Sequence, residues 1–371
     1  MQLASERVAP PAPAHPAGGG ARGEGGQGAR QQPTAQPPAG EPANQPLLAG
    51  VRPGTAFAGT YAVRRSELRR TRNGTLYLDL ELGDRSGALP AKLWSAREEH
   101  GARFAAGTVV EVGARAESFG GRTQLRLERI RLAPQPVDPA LLLPCTPLPV
   151  ERLWERLAEL HRSIRNPWLR RLLDAFLGEA EFRRRFLQAP AATHNHHPYV
   201  GGLLEHVVSL SEACARMAEL YPALDRDLLL AGAFLHDIGK VAAYEVGAGL
   251  EATDHGRLTG HIAIGVLWLQ ERARAIEGFP EPLLEHLRHL ILSHHGKPEW
   301  GSPVEPMTPE AIALHALDNL DAKLWACAHA IEQARRQGAR WTEFVRILGT
   351  RIWCAEAAQS GPGEPAAASG A

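Results

Sequence analysis

The sequence predicts two folded domains, a small all-β domain followed by an all-α domain, between two disordered tails. Residues 51–135 alternate apolar and polar side chains with the period of strands, and residues 150–355 repeat apolar side chains with the period of helices. Residues 1–50 and 356–371 are rich in Pro, Gly and Ala and contain few large apolar residues. Such tails bury too little surface to offset the entropy lost on ordering.

The composition favours a cytoplasmic protein without a membrane segment. The chain has 371 residues, of which 44% are hydrophobic and 22% charged, which allows two domains with a sizeable core. Its four cysteines form no C-x-x-C pair, which argues against a disulfide framework and against a zinc ribbon. No apolar run reaches the roughly 18 residues of a membrane span, and the N-terminus lacks the apolar stretch of a signal peptide.

The charge is unevenly distributed between the two predicted domains. Residues 51–135 hold 15 Lys and Arg against 9 Asp and Glu, whereas residues 136–371 hold 23 against 29. A basic first domain suits a polyanion, and an acidic second domain suits cations. An ordinary surface excess explains the same numbers, so charge alone leaves both interpretations open.

The first domain is predicted to contain five strands, with a helix at 95–104 between the third and the fourth. The predicted strands are Phe57–Val63, Thr75–Leu82, Leu89–Trp94, Val109–Arg115 and Thr123–Leu132. This order of elements is the layout of an OB-fold barrel.

A proline-rich linker is expected at 136–149, and the helical domain follows it. Thr308-Pro309-Glu310 illustrates how its helices begin, with Thr as N-cap, Pro at the first helical position and an acid in the first turn.

Histidines and aspartates recur on apolar faces of these predicted helices. His206 has Leu203 and Leu210 at i−3 and i+4, which turns it toward the core. His236 and Asp237 end the apolar run 227–235, for which Gly239 is the predicted stop. Each residue alone is explained by an ordinary core position or a solvated helix end. A carboxylate at a helix C-terminus, however, opposes the helix dipole and requires a positive partner.

Seven residues of this kind are predicted to point inward and to ligate metal. They are His206, His236, Asp237, His261, His294, His295 and Asp318. This number suits two divalent ions that share one carboxylate, and His with Asp but no thiolate favours Mn²⁺, Fe²⁺ or Mg²⁺. Two ions of this kind are a common device for phosphoester hydrolysis.

Asp237 and Lys240 are the predicted catalytic residues, because Lys240 follows one turn later and could meet a phosphate. A helix-terminal charge is the alternative interpretation of Lys240. His286 and His289 are expected on the surface, and Asp321 and Lys323 have no predicted role.

These residues resemble the H…HD…D signature of the HD-domain metal-dependent phosphohydrolases, which is formed here by His206, His236-Asp237 and Asp318. With Gly260-His261, the stretch Ser293–Pro303 and the OB-like first domain, the chain resembles the YhaM-type 3′→5′ exoribonucleases over about residues 51–350. Asn195-His196-His197 also fits this resemblance, without an assigned role.

The resemblance implies one ion on His206, His236, Asp237 and Asp318. Asp237 would bridge to a second ion on His261, His294 and His295. It also implies removal of nucleotides from the 3′ end of RNA, and often of single-stranded DNA. Mn²⁺ is the favoured ion, with Fe²⁺, Co²⁺ and Mg²⁺ as alternatives. Whether copies of the chain assemble is left open.

The first domain is expected to hold the strand, since single-strand binders combine a basic groove with aromatic rings on which bases stack. The candidates are Tyr61, Arg64, Arg65, Arg69, Arg70, Tyr77, Trp94 and Arg122, with Arg72 and Phe119 in addition. A half-buried core position is the alternative for the aromatic residues on alternating strands.

Two other functions are compatible with parts of the sequence. A cyclic-dinucleotide or nucleotide phosphodiesterase would share the two-metal site, but no Gly-Tyr-Pro follows His294-His295. A non-catalytic nucleic-acid-binding protein would not need the complete ligand set. We therefore expect a metal-dependent 3′→5′ exoribonuclease that releases nucleoside 5′-monophosphates.

Overall fold

The computed structural model describes residues 45–193 and 196–354. The disorder predicted for residues 1–44 and 356–371 lies outside the described residues. Within them, a β-barrel is followed by a helical domain, as the sequence predicts. None of the described helices combines the length and the apolar character needed to cross a lipid bilayer.

Five strands close into a barrel in the order β1-β2-β3-β5-β4, in which β3 and β5 pair in parallel and the other pairs are antiparallel. The strands are β1 Ala56–Arg70, β2 Leu76–Asp84, β3 Gly87–Trp94, β4 Val109–Phe119 and β5 Arg122–Leu132, and helix α1, Glu98–Arg103, lies between β3 and β4. This topology confirms the predicted OB-fold.

Alternating side chains fill the barrel. Leu78, Leu80 and Leu82 of β2 are fully buried, because every second residue of a strand faces the same side. Gly120 and Gly121 join β4 to β5 with φ of +57° and +77°, a conformation that a two-residue hairpin turn requires.

The barrel begins earlier than the sequence suggests. Leu48, inside the predicted tail, is buried in the barrel core, and its N–H donates to Asp84 Oδ2 at 2.7 Å. Gln45 Oε1 accepts from the N–H of Thr60 at 2.7 Å. One buried leucine and the hydrogen bonds of Gln45, Pro46 and Leu48 therefore hold this segment on the barrel.

Eleven α-helices occur in the described residues, ten of them in the second domain. These ten are α2 Val150–Arg162, α3 Pro167–Leu177, α4 Ala180–Gln188, α5 Gly202–Leu220, α6 Arg226–Leu235, α7 Lys240–Ala243, α8 Asp254–Thr259, α9 His261–Arg274, α10 Glu281–Ser293 and α11 Pro309–Arg336. Helix α6 is buried on all sides, and α5, α9, α10 and α11 pack around one apolar core with it.

The prediction of helix throughout residues 150–355 is wrong in two places. A hairpin of β6, Tyr244–Val246, and β7, Leu250–Ala252, interrupts it. After α11 the chain forms only isolated bridges, one of which joins Trp341 to Trp353. The Gly-Ala-Gly of residues 247–249 was the turn signal for the hairpin.

The predicted linker packs between the two domains. Its residues Leu142 and Leu143 are buried against Ala62 of β1 and against the β6–β7 hairpin. Arg64 of β1 donates to the carbonyl oxygen of Ala248 at 2.5 Å and to that of Leu142 at 3.2 Å. The barrel is therefore attached to the helical domain by apolar contacts and by one arginine.

We expect Arg64→Ala to loosen this attachment. The substitution removes two hydrogen bonds from a charged donor, which should raise the rate of protease cleavage in residues 136–149 about tenfold. Limited proteolysis followed by mass spectrometry measures the rate. Arg72→Ala is the matched control, because Arg72 is exposed on the same barrel. Equal cleavage of the two variants would contradict this role of Arg64.

Candidate active site

All seven predicted ligands lie in one cluster of the helical domain. Five elements bring them together: α5, the α6–α7 junction, the start of α9, the end of α10 and the middle of α11. Two groups of three residues have ligand atoms within 4.8 Å of one another. The first is His206, His236 and Asp318, and the second is His261, His294 and His295.

In the first group, two imidazoles face each other through their Nε2 atoms at 3.2 Å. His206 Nδ1 donates to Asp321 Oδ2 at 2.8 Å, and His236 Nδ1 donates to the carbonyl of Ala233 at 2.9 Å. Asp318 Oδ1 lies 3.3 Å from His206 Nε2. With both Nδ1 atoms donating, two Nε2 lone pairs point at each other, which requires a proton or a cation between them.

In the second group, two histidines also donate from Nδ1 and direct Nε2 toward the centre of the cluster. His294 Nδ1 donates to the carbonyl of Ile291 at 2.7 Å, and His295 Nδ1 donates to that of Trp300 at 2.9 Å. Among the described residues, the buried Nε2 atoms of His261 and His294 have no hydrogen-bond partner. For His294 and His295, backbone carbonyls thus fix the tautomer that leaves Nε2 available to a metal ion.

Asp237 lies between the two groups. Its Oδ2 is 3.2 Å from His236 Nε2, and its Oδ1 is 3.4 Å from His261 Nε2 and 3.6 Å from His294 Nε2. The side chain is 2% exposed, and Oδ1 has no hydrogen-bond partner among the described residues. One carboxylate therefore offers one oxygen to each group, and the donor set fits two divalent ions.

The predicted role of Gly239 is corrected. Its φ is −63°, so it is not a left-handed helix stop. A Cβ at this position would lie 1.9 Å from the carbonyl oxygen of His261. Glycine is required because α9 begins against the α6–α7 junction, and this close approach brings His261 to Asp237.

Burial and neighbouring charges set the protonation states of the metal-free cluster. Burial holds the pKa of His261 well below its usual range and lowers that of His295 to about 4, so both are neutral at pH 7. Burial alone would raise the pKa of Asp237, but Lys240 and His236 outweigh it and keep the carboxylate ionised. Burial also lowers the pKa of His206, but hydrogen bonds with Asp318 and Asp321 raise it to about 9.

Lys240 contacts the carboxylate and not open solvent. It is buried, and its Nζ donates to Asp237 Oδ2 at 2.5 Å. It supplies positive charge to a carboxylate that the α6 dipole disfavours.

The sequence did not predict the residues behind the first group. Asp321, His197 and Tyr199 form a polar cluster next to His206. His196 is close by, with its ring centroid 5.4 Å from that of His206, and neither of its buried ring nitrogens has a hydrogen-bond partner among the described residues. Asn195 lies outside the described residues. A spacing of three residues from Asp318 to Asp321 on one helix was the available signal.

The barrel changes the set of predicted nucleic-acid contacts. Tyr61 is fully buried and its hydroxyl donates to the carbonyl of Pro46, so its ring is not accessible to a base. Arg64 contacts the helical domain. Arg65 and Arg69 face the acidic side chains of Glu67 and Asp79, which also reduces their attraction for phosphate.

An aromatic patch lies on the β2–β3 face of the barrel. The rings of Tyr77 and Trp94 are 5.1 Å apart, and Lys92 Nζ lies 5.4 to 5.6 Å from the ring centroids of Tyr77, Trp94 and Phe119. Trp94 is 44% and Phe119 is 69% exposed. Phe119 and Arg122 flank the β4–β5 turn, so this loop joins the patch. Lys92 was not predicted.

Comparison with known proteins identifies the family. A family model described as "HD domain" matches residues 203–323. The 3'-5' exoribonuclease YhaM of Bacillus licheniformis is 39% identical over 281 residues, which cover 75% of this chain and 88% of that protein. The chain belongs to the YhaM family. The YhaM protein of Bacillus subtilis strain 168 is 40% identical with the same coverage.

Membership of the YhaM family confirms the resemblance predicted from the histidine and aspartate pattern, and it confirms that the chain is an enzyme. Among solved structures, the second OB-fold domain of replication protein A from Methanococcus maripaludis is similar at 14% identity and a TM-score of 0.20. The matched region covers 24% of this chain and 96% of that domain.

We expect Lys240→Met to destabilise the metal-free protein more than the metal-loaded protein. Removing one partner of a buried ion pair costs about 3–5 kcal/mol, because the remaining charge is uncompensated. A divalent ion beside Asp237 would replace part of the lost positive charge. Thermal unfolding in EDTA and in Mn²⁺ measures the difference.

The matched control is Lys297→Met, since Lys297 is exposed and lies over the ring of Trp300. An equal loss of stability for Lys240→Met in EDTA and in Mn²⁺ would contradict the prediction, because it would mean that a bound ion does not replace the lost charge of Lys240.

Proposed function

We propose that this protein is a metal-dependent exoribonuclease that removes nucleoside 5′-monophosphates from the 3′ end of single-stranded RNA, with single-stranded DNA as a second substrate. The observation that carries the proposal is the buried carboxylate of Asp237, with one oxygen toward each histidine group. The printed name of the relatives, 3'-5' exoribonuclease, supports the substrate and the polarity.

We assign two divalent ions to the site, with Mn²⁺ as the favoured ion. His206, His236, Asp237 and Asp318 would hold one ion, and Asp237, His261, His294 and His295 would hold the other. When bound, such ions neutralise the charge of a phosphodiester and promote attack by water. The lone pairs directed inward by the histidine tautomers support this assignment.

In the proposed reaction, a water oxygen forms a bond to phosphorus, and the bond from phosphorus to the O3′ of the preceding nucleotide breaks. The phosphate stays on the 5′ carbon of the released nucleotide, and O3′ takes up a proton. The protein holds Asp237 ionised through Lys240, and a carbonyl or a carboxylate fixes the imidazoles of His206, His236, His294 and His295. These residues are therefore positioned before substrate arrives, which lowers the reorganisation needed in the transition state.

The barrel is proposed to hold the RNA strand on the aromatic patch of Tyr77, Trp94 and Phe119, with Lys92 and Arg122 beside it. OB-folds bind oligonucleotides with strands 2 and 3 and with the β1–β2 and β4–β5 loops, which is where this patch lies. We also infer a cytoplasmic setting, which the four unpaired cysteines support.

The test of the activity is a time course with a single-stranded oligoribonucleotide labelled at its 5′ end, in Mn²⁺ or EDTA. We expect a ladder that shortens from the 3′ end in Mn²⁺ and an intact strand in EDTA. Asp237→Ala and His294→Ala should lose at least about a thousandfold in rate, because metal-assisted catalysis supplies several kcal/mol.

His286→Ala is the matched control, since His286 faces Glu310 outside the cluster. Metal analysis of the same proteins should find two ions in the wild type and fewer in His294→Ala. Full activity of Asp237→Ala would refute the site, and one ion in the wild type would refute the two-ion assignment.

The barrel patch is tested by Trp94→Ala. Stacking of a base on an aromatic ring contributes about 1–3 kcal/mol, so the affinity for a single-stranded oligoribonucleotide should fall about 5- to 150-fold. Fluorescence anisotropy in EDTA measures binding without cleavage. Leu132→Ala, a change at a similarly exposed apolar residue of β5, should leave affinity unchanged. Equal affinities of Trp94→Ala and Leu132→Ala would mean that the RNA does not bind at the aromatic patch.

A further inference from the structure

Asp321 lies directly behind the metal ligand His206. Its Oδ2 accepts from His206 Nδ1 at 2.8 Å, and its Oδ1 accepts from Ser209 Oγ at 2.7 Å. His206 uses its other nitrogen, Nε2, to face His236 and Asp318. Asp321 therefore contacts the side of the imidazole that points away from the first ligand group.

His197 lies against the same carboxylate from a second direction, without a hydrogen bond to it. Its Nε2 is 3.6 Å from Asp321 Oδ2, and its Nδ1 is 2.7 Å from the hydroxyl of Tyr199. His197 has a φ of +47°, which is unfavourable for a residue other than glycine. A Cβ at Gly202 would lie 2.2 Å from the carbonyl oxygen of His197, so the start of α5 packs against this strained residue. Strain of this kind persists only where surrounding contacts maintain it.

The contacts continue from Tyr199 to the interdomain linker. The Tyr199 hydroxyl donates to Glu205 Oε2 at 2.9 Å, and Trp325 Nε1 donates to that hydroxyl at 3.3 Å. Thr146 of the linker donates to the same Glu205 oxygen at 2.5 Å. Hydrogen bonds thus link Thr146 through Glu205 and Tyr199 to His197, and the ring of His197 lies 3.6 Å from the carboxylate of Asp321.

We propose that Asp321 is a positioning residue for the metal ligand His206, and that His197, which is fixed by Tyr199, packs against Asp321 and limits its movement. A carboxylate that accepts from Nδ1 fixes the ring orientation and makes Nε2 a stronger metal ligand. The inference rests on the proposed metal site, and it assigns Asp321 and the His197-Pro-Tyr199 segment a role that the reaction itself leaves unexplained.

An alternative assignment makes Asp321 a metal ligand itself, since ligand atoms of His197, His206 and Asp321 also lie within 4.8 Å of one another. An ion there would need His206 Nδ1, which is occupied by its hydrogen bond to Asp321. His206 Nε2 already faces three other candidate ligands, so the geometry favours the positioning role.

The test is the affinity of the purified full-length protein for Mn²⁺, measured by isothermal titration calorimetry without RNA. Asp321→Asn should weaken Mn²⁺ binding about 10- to 100-fold, the usual effect of removing such a partner. The number of bound ions at saturation should stay at the wild-type value, and nuclease activity should recover as Mn²⁺ is raised. Loss of one ion at saturation would make Asp321 a ligand and overturn the proposal.

Ser209→Ala is the matched control, because it removes the other hydrogen bond of the same carboxylate and leaves that of His206. We expect its Mn²⁺ affinity to change less than about threefold. Circular dichroism and thermal unfolding show whether each variant is folded. If Asp321→Asn unfolds, Asp321→Glu, which keeps the charge, serves in its place. Wild-type Mn²⁺ affinity in a folded Asp321→Asn protein would refute the proposal.

The role of Tyr199 is tested by a double-mutant cycle with Tyr199→Phe and Asp321→Asn. If Tyr199 acts through His197 and Asp321, Tyr199→Phe should weaken Mn²⁺ binding in the wild type and add little in Asp321→Asn. If the effects of the two substitutions on Mn²⁺ affinity are additive, Tyr199 does not act through Asp321. If the wild-type protein binds no Mn²⁺, the proposed function fails. If only the variants behave unexpectedly, the metal site stands and the positioning role fails.

Discussion

The rest of the active site depends on the ion pairs of the Asp237 carboxylate, which is buried among four histidines and Lys240. A charged carboxylate inside a protein is costly unless cations or donors surround it. The fold meets this requirement with contacts from three directions: the α6–α7 junction, the start of α9 and the end of α10. Gly239 permits the approach of α9, so a backbone contact two residues after Asp237 determines where His261 lies.

The site could be predicted from the sequence because its residues violate the apolar pattern of their helices. His206 lies between leucines at helical spacing and His236-Asp237 follows an apolar run, so each was recognisable as an inward polar residue. The five barrel strands were recognisable by their alternation, since one face of each is buried. Both patterns are local, and local periodicity survives in the sequence whatever the tertiary arrangement.

Features that depend on contacts between distant segments could not be predicted in this way. Arg64 has the positive charge expected of a phosphate contact, but its guanidinium donates to a carbonyl oxygen of the β6–β7 hairpin. Tyr61 follows the pattern of an exposed aromatic residue, but residues 45–48 cover it. Asp321 lies one turn after Asp318, and only the packing of α5 on α11 shows that it meets the rear of a ligand. In each case the partner is 15 to 184 residues away along the chain.

The charge balance of the site explains how an acidic cluster can attract RNA. Asp237, Asp318 and Asp321 bring three negative charges, and the ammonium of Lys240 and the proton on His206 offset two of them. Two divalent ions would displace that proton and turn the total to about two positive charges. In the proposed mechanism the loaded cluster would therefore attract the phosphate at the scissile bond, whereas the metal-free cluster would not. Lys240 neutralises the carboxylate of Asp237, and the neutral imidazoles of His236 and His261 beside it can bind cations without repelling them.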